Sequence, residues 1–208
     1  MKKAKNKLFA EKYLQEAKSI IEKLDLSAIE KMTKLLVDLR KRKGRLFLIG
    51  VGGGAGHAGH AVNDFRKLSG IEAYSPSDNI SELTARTNDE GWDTTYAAWL
   101  QGSQLSNKDM LFVFSVGGGD SVQNISPNIV RAVQLAKKVG ADVIGVLGRE
   151  GGYTATMATA CVIVPTVNPA MVTPHTESFQ ALVWHLLVSD PRLQIISNKW
   201  ESSVKASA

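Results

Sequence analysis

The sequence predicts an α/β protein built on a doubly wound, mainly parallel, five-stranded sheet with two leading N-terminal helices. Short apolar runs alternate with stretches of helical spacing, and glycine-rich turns follow two of the runs. Near-continuous apolar runs are typical of strands covered on both faces, and their alternation with helices indicates a parallel sheet. We expect a single domain over 1–208, with a helical appendage at 1–43, the α/β core at 44–190 and a tail at 191–208.

Two amphipathic helices precede the first strand. Residues 5–23 and 27–42 carry apolar side chains at helical spacing. Asp25 and Ser27 supply N-cap chemistry between these helices, and Gly44 ends the second one.

The strands follow in order, with helices between them. A helix at 126–139 has Pro127 near its start and Gly140 just past its end, the usual asymmetry of helix termini. The predicted strands are 45–50, a weaker one at 71–75, then 110–115, 142–148 and 161–165.

Composition and charge narrow the class of protein. Lys and Arg interrupt every apolar run well before the ~18 residues of a membrane span, so we expect no membrane partner. The net charge of +5 includes a basic run at 40–45, which closes a predicted helix and complements its dipole. We therefore expect no nucleic-acid partner, and a positive field would favour anionic small substrates. Cys161 is the single cysteine, which agrees with a cytoplasmic protein.

Two glycine turns follow predicted strands, "GVGGGAG" at 50–56 and "SVGGGDS" at 115–121. Backbone N–H groups at such turns, with a helix N-terminus behind them, favour an anion. The alternative is that the glycines only permit tight strand-to-helix turns. A loose dinucleotide motif also fits Gly50, Gly52 and Ala55, but a loop so rich in glycine matches that motif in several registers.

Histidines and carboxylates behind the first turn indicate a metal site or an acid–base site. His57, His60 and Asp64 follow the turn, and His60 and Asp64 are spaced to share a helix face. Glu177 and His185 lie eight residues apart, close to one face after two turns. The nitrogen and oxygen donors of His60, Asp64, Glu177 and His185 suit zinc or a similar divalent ion. Alternatively, His185 is a core histidine, and His60 with Asp64 is an ordinary helical pair.

These motifs, together with "TNDEGW" at 87–92, occur in the order seen in the sugar isomerase (SIS) domain, and the chain most resembles the bacterial phosphoheptose isomerases. The resemblance covers nearly the whole chain. It implies a zinc-dependent homotetramer that isomerises sedoheptulose 7-phosphate to D-glycero-D-manno-heptose 7-phosphate for surface polysaccharide.

The resemblance also implies roles for single residues. It makes His60 a metal ligand, Asp64 both ligand and catalytic base, and His185 both ligand and acid. Glu177 falls where the family usually has a glutamine ligand. The implied substrate contacts are Val51, Gly52, Gly53, Asn88, Asp89, Ser115, Val116, Gly117, Asp120 and Glu177.

The phosphate loops depart from the family pattern. The family's second loop is typically Ser-Thr-Ser-Gly-Asn-Ser, whereas here Ser115 stays in register, Asp120 replaces a serine, and Ser121 is a possible substitute. Val51 and Gly54 stand where asparagine and serine are usual in the first loop. The alternatives are therefore an isomerase for another phosphorylated or nucleotide-linked sugar, and a non-catalytic SIS domain that binds a sugar phosphate or a partner protein as a regulator.

The spacing along the helix links turn and histidines in one site. From Gly56 to Asp64 a helix rises about 12 Å, on the order of the length of an extended seven-carbon sugar phosphate. Asp64 and His185 would exchange base and acid roles on two adjacent carbons, through an enediolate. A divalent metal would polarise the carbonyl.

Overall fold

A computed structural model describes residues 8–197, and its centre is a parallel sheet. The strands are β1 (Leu46–Gly50), β2 (Ala73–Tyr74), β3 (Met110–Ser115), β4 (Asp142–Leu147) and β5 (Ala160–Ile163). Every neighbouring pair is parallel, in the order β2-β1-β3-β4-β5. The predicted five-stranded α/β sheet is confirmed.

Helices cover both faces of this sheet. They are α1 (Phe9–Lys23), α2 (Leu26–Lys41), α3 (Gly53–Ser69), α4 (Ile80–Glu90), α5 (Thr95–Gly102), α6 (Pro127–Val139), α7 (Gly152–Met157) and α8 (Val172–Ser189), with 3-10 turns at Pro76–Asp78 and Pro169–Met171. Among residues 8–197, none of these helices is both long enough and apolar enough to span a membrane.

Alternating side chains of the strands divide the core into two clusters. In β1, Leu46 and Leu48 join the cluster that contains buried residues of α2, α3 and α8. Phe47 and Ile49 join the cluster under α5 and α6. This period of two is that of a strand covered on both sides.

The two leading helices are present, and the second belongs to the core. Asp25 caps α2, since its Oδ1 accepts the backbone N–H of Ser27 and Ala28 at 2.9 and 3.1 Å. Met32 and Leu36 of α2 are fully buried. The predicted appendage at 1–43 therefore includes a helix, α2, whose buried side chains belong to the core.

Element ends differ slightly from the prediction. β2 has only two residues, and β5 ends at Ile163, two residues before Pro165, which has no N–H to donate to a neighbouring strand. The predicted tail at 191–208 lies in part outside the described residues. In its described part Leu193 is buried, and Ile195 donates its N–H to the carbonyl of Leu68 at 2.8 Å.

Candidate active site

The two glycine turns meet at one edge of the sheet. β1 and β3 are parallel neighbours, so the turns that follow them (residues 50–56 and 115–121) lie side by side. They line one small pocket of about 150 Å³. The lining residues are Val51, Gly54, Ser115, Val116, Gly117, Ser126, Glu177 and Gln180.

Some of the glycines are required by their backbone conformation or by close packing. Gly52 has φ 58° and ψ −124°, a conformation that is essentially restricted to glycine. A Cβ on Gly118 would lie 1.8 Å from the carbonyl oxygen of Gly151. Gly117 is different, because a Cβ there would meet no atom within 4 Å. The tight-turn alternative therefore explains Gly52 and Gly118 but not the open space at Gly117.

Hydrogen-bond donors converge on this pocket. The backbone N–H group of Gly117, which lines the pocket, has no acceptor among residues 8–197, and neither has that of Gly52, which lies in the first turn but is not a lining residue. The Ser115 Oγ accepts the N–H of Gly118 at 2.9 Å, which leaves the Ser115 O–H as a donor. These donors favour an anion, and the Glu177 carboxylate, which also lines the pocket, is one anion already present there.

A buried tyrosine is hydrogen-bonded to the start of the first turn. The Tyr96 hydroxyl donates to the carbonyl of Gly50, the last residue of β1. Burial raises the pKa of Tyr96 to about 12. The phenol therefore stays protonated at neutral pH and holds the turn in place.

The second turn was predicted to offer Asp120 or Ser121 to the substrate, but the structure places another serine at the pocket. The Asp120 carboxylate accepts the N–H groups of Val122 and Gln123 at 2.7 and 2.8 Å, so it is engaged within its own loop. Ser121 is exposed and does not line the pocket, whereas Ser126, the N-cap residue of α6, does. Ser126 was missed because the loop makes a short antiparallel excursion through 120–125 before α6 begins. The Ser126-Pro127 pair is a helix-start signal in the sequence and could have pointed to Ser126.

A wider groove opens on the other side of the second turn. Its volume is about 1040 Å³, and Gly117 and Asp120 line it together with Arg149. Within residues 8–197, no carboxylate lies within 4.0 Å of the Arg149 guanidinium. This groove has room for a group larger than phosphate.

Three of the four predicted metal ligands come together between α3 and α8. The donor atoms of His60, Asp64 and His185 all lie within 4.8 Å of one another. The Asp64 Oδ2 is 3.7 Å from the His60 Nε2 and 3.6 Å from the His185 Nε2. Three protein ligands with one side open to solvent are typical of catalytic rather than structural metal sites.

Neighbouring groups orient these side chains. The Trp184 Nε1–H donates to the Asp64 Oδ2 at 3.2 Å. The His185 Nδ1 lies 2.8 Å from the carbonyl of Ala181, which can only accept, so Nδ1 carries a proton and Nε2 has a lone pair for a metal. The His185 side chain is 51% exposed, so the alternative of a core histidine is wrong.

Glu177 lies apart from this cluster. A Cβ on Gly53 would be 2.6 Å from its carboxylate, which places that carboxylate at the N-terminus of α3. The predicted fourth ligand thus stands at the glycine-turn end of the site in this structure.

Two further predicted substrate contacts, Asn88 and Asp89, are exposed on α4 and do not line the pocket. The Asn88 Nδ2 donates a hydrogen bond to the Asp89 Oδ1 at 2.7 Å.

The remaining histidines have separate positions. His57 is hydrogen-bonded to Gln180, a buried pocket residue that the sequence analysis missed although it lies one helical turn from Glu177. His175 is buried and anchors α1 through Glu16, with its Nε2 2.9 Å from the Glu16 Oε2. That hydrogen bond holds the pKa of Glu16 below its usual value.

The pocket and the cluster lie on the same two helices. α3 carries Gly54 at the pocket and Asp64 at the cluster, and α8 carries Glu177 and His185 at the corresponding ends. Eight residues separate Glu177 from His185, a rise of about 12 Å along the helix. An elongated ligand along α3 and α8 would touch both ends.

Comparison with known proteins gives the family. The family model described as the SIS domain matches residues 12–148. The lincomycin biosynthesis protein LmbN of Streptomyces lincolnensis is 32% identical over 164 residues, which cover 74% of this chain and 58% of LmbN. Phosphoheptose isomerase of Nitratiruptor sp. is 30% identical over 160 residues (74% of this chain, 80% of the relative), and that of Helicobacter pylori strain P12 is 28% identical over 174 residues (79% and 85%).

Solved structures share the fold. The phosphoheptose isomerase of Francisella tularensis superposes with a TM-score of 0.74 at 22% identity, over 86% of this chain and 92% of its own. That of Neisseria gonorrhoeae gives a TM-score of 0.73 at 24% identity, over 86% and 94%. The family match over most of the described residues and the relatives at about 30% identity show that this chain belongs to the SIS domain family and is similar to phosphoheptose isomerases.

Proposed function

We propose that this protein is an aldose–ketose isomerase of a sugar phosphate, with sedoheptulose 7-phosphate as the first substrate to test and D-glycero-D-manno-heptose 7-phosphate as its product. The observation that carries the proposal is the pairing of an anion pocket with a His–Asp–His cluster about 12 Å further along the same two helices. An extended seven-carbon sugar phosphate has a length on that order. Relatives named phosphoheptose isomerase support the same reaction class.

The phosphate would lie in the pocket between the turns. Its volume of about 150 Å³ is enough for a phosphate group. The N–H groups of Gly52 and Gly117 and the hydroxyls of Ser115 and Ser126 would bind the phosphate oxygens. The N-terminal end of α3 would add a favourable dipole once the Glu177 carboxylate, which stands there in this structure, has moved away.

The carbonyl end would then lie at the cluster. Asp64 would take the proton from the carbon beside the carbonyl, and the bonding electrons would move to the carbonyl oxygen to give an enediolate. His185, on the facing helix, would deliver a proton from Nε2 to the former carbonyl carbon, in a form whose Nε2 is protonated and not bound to a metal. The hydroxyl hydrogen of the first carbon would pass to the former carbonyl oxygen, which completes the exchange of aldose and ketose. Phosphate binding would supply the energy that orients this reacting end.

The cluster also suits a divalent metal, with zinc as the first candidate. His60 and His185 offer imidazole nitrogens and Asp64 a carboxylate oxygen, which is a donor set that zinc accepts. Such an ion would polarise the substrate carbonyl. Glu177 remains a prediction as a fourth ligand, since its carboxylate would first have to leave the N-terminus of α3.

The open groove favours a second candidate, an isomerase for a larger phosphorylated or nucleotide-linked sugar. The groove adjoins the pocket at Gly117 and offers the Arg149 guanidinium to a second anionic group. A non-catalytic SIS domain has no use for the His–Asp–His cluster, so metal content and turnover discriminate between these classes.

Metal analysis and a substrate panel test the proposal together. The purified protein would be assayed for bound metal by mass spectrometry, and then incubated with ketose phosphates of five to eight carbons while ¹H NMR follows product formation. We expect about one divalent ion per chain and turnover of sedoheptulose 7-phosphate. Binding of sugar phosphates without turnover, in the metal-loaded protein, would instead indicate a sensor domain.

Filling the pocket with a side chain should abolish phosphate binding. In Gly117→Val the added Cβ meets no protein atom within 4 Å, so the fold should survive while the side chain occupies the anion's volume. Calorimetric titration with the sugar phosphate should show loss of binding. Gly102→Val is the control, since its Cβ would meet only the end of Arg86 at 3.4 Å. Unchanged affinity in Gly117→Val would reduce the second turn to a structural one.

We also propose a homotetramer in the cytoplasm. Leu8, Phe9, Leu14 and Ile21 leave apolar side chains more than half exposed on and beside α1, as a subunit interface requires. Light scattering should give four times the chain mass, and Leu14→Lys should shift it to smaller species. A stable wild-type monomer at micromolar concentration would contradict the assembly.

A further inference from the structure

His57 lies between the two ends of the site and has no role in the reaction described so far. It lies one turn after Gly54 of the pocket and one turn before His60 of the cluster. Its ring contacts Trp184 at a centroid distance of 5.2 Å and approaches Phe114 at 6.5 Å. The imidazole therefore occupies the stretch that the middle of an elongated ligand would pass.

A buried amide sets the tautomer of this histidine. Gln180 is fully buried, and its Nε2 donates to the carbonyl of Val146 at 3.3 Å. Its Oε1 must therefore be the atom that faces His57, whose Nδ1 lies 2.9 Å away. Because that oxygen only accepts, Nδ1 carries the proton and the neutral ring has its lone pair on Nε2.

The Nε2 of His57 is open to a ligand. Within residues 8–197 it has no hydrogen-bond partner, and it is not among the polar atoms that are buried without one. The hydrogen bond to the buried Gln180 amide holds the His57 ring in place. Its accessible Nε2 is therefore well suited to accept a hydrogen bond from a hydroxyl group.

We propose that the His57 Nε2 accepts a hydrogen bond from a hydroxyl in the middle of the substrate, with Gln180 as the positioning residue that fixes the ring. From Gly54 to His57 the helix rises about 4.5 Å, so the contact falls about three to four carbon–carbon steps from the phosphate. This inference rests on the proposed function and adds a requirement for a hydroxylated chain between phosphate and carbonyl.

Two substitutions separate the roles of the two ring nitrogens of His57. His57→Asn keeps an amide N–H close to the position of Nδ1, so the bond to Gln180 can persist, but it removes the acceptor at Nε2. His57→Gln loses the donor to Gln180 but can place its Oε1 near the position of Nε2. Calorimetry with sedoheptulose 7-phosphate and with inorganic phosphate would be run on the wild type and on both variants.

We expect His57→Asn to weaken sedoheptulose 7-phosphate binding about three- to tenfold, the value of one hydrogen bond, without changing the affinity for inorganic phosphate. His57→Gln should recover part of the loss. Wild-type affinity for the sugar phosphate in His57→Asn would overturn the inference, and so would an equal loss for both ligands, because that would mark a structural role. Normal binding by the wild type without any isomerisation would instead overturn the proposed function alone.

Discussion

Replacing Asp64 by asparagine is expected to abolish exchange of solvent deuterium into the carbon beside the carbonyl of a bound sugar phosphate. The amide cannot take up a proton at neutral pH, so the first step of the isomerisation is lost. The shape is nearly unchanged, and the amide oxygen can still accept the Trp184 Nε1–H that reaches Asp64 at 3.2 Å. NMR of the sugar phosphate in deuterated buffer measures the exchange directly.

Binding should survive this change, because Gly54 of the proposed phosphate pocket lies ten residues from Asp64, a rise of about 15 Å along α3. Asp38→Asn is the matched control, since it makes the same substitution at an exposed aspartate of α2. Metal content must be measured alongside, because Asp64 belongs to the three-residue cluster. Exchange at the wild-type rate in Asp64→Asn would contradict its assignment as the base.

Truncation of His185 to alanine should lower kcat by about 10²-fold or more, because it removes the proposed acid and one metal ligand together. The His185 Nε2 faces the Asp64 Oδ2 at 3.6 Å, and its Nδ1 is tied to the backbone of Ala181. Steady-state kinetics at saturating substrate gives the effect on kcat. Ser178→Ala, an exposed position on the same helix, is the control and should leave kcat unchanged.

A second variant separates the two roles of His185. His60→Ala removes a ligand of the same cluster but not the acid, so added metal should restore more activity to it than to His185→Ala. Equal rescue of both variants by metal would show that His185 acts only as a ligand.

Four of the five strands could be predicted from the sequence because each is a nearly continuous apolar run. "MLFVFS" at 110–115 and "LFLIG" at 46–50 are buried along their whole length, and their apolar composition indicates parallel strands covered on both faces. The predicted β2 was too long. The length of this edge strand is set by its pairing with a single neighbour, β1, which extends over only two residues.

Half of the candidate site followed from local geometry. His60 and Asp64 share a face of α3 because a helix has 3.6 residues per turn, and this holds in any fold that keeps the helix. His185 joins them only because α3 packs against α8. The resemblance to a known family implied this packing, and the structure shows it.

Other site residues depend on contacts between segments far apart in the chain. Ser126 reaches the pocket only because the loop at 120–125 folds back on itself before α6. Gln180 was missed because its importance comes from His57 and Val146, on two other elements.

By itself, the sequence determined the α/β class, the order of elements, the two glycine turns and the helical pairing of His60 with Asp64. These features depend on hydrophobic period and backbone freedom, which act over a few residues. Only the tertiary structure decided that Glu177 stands at the N-terminus of α3 and that Ser126 lines the pocket between the glycine turns. A side chain's position in a site is set by the neighbours that exclude or bind it, and those neighbours come from other parts of the chain.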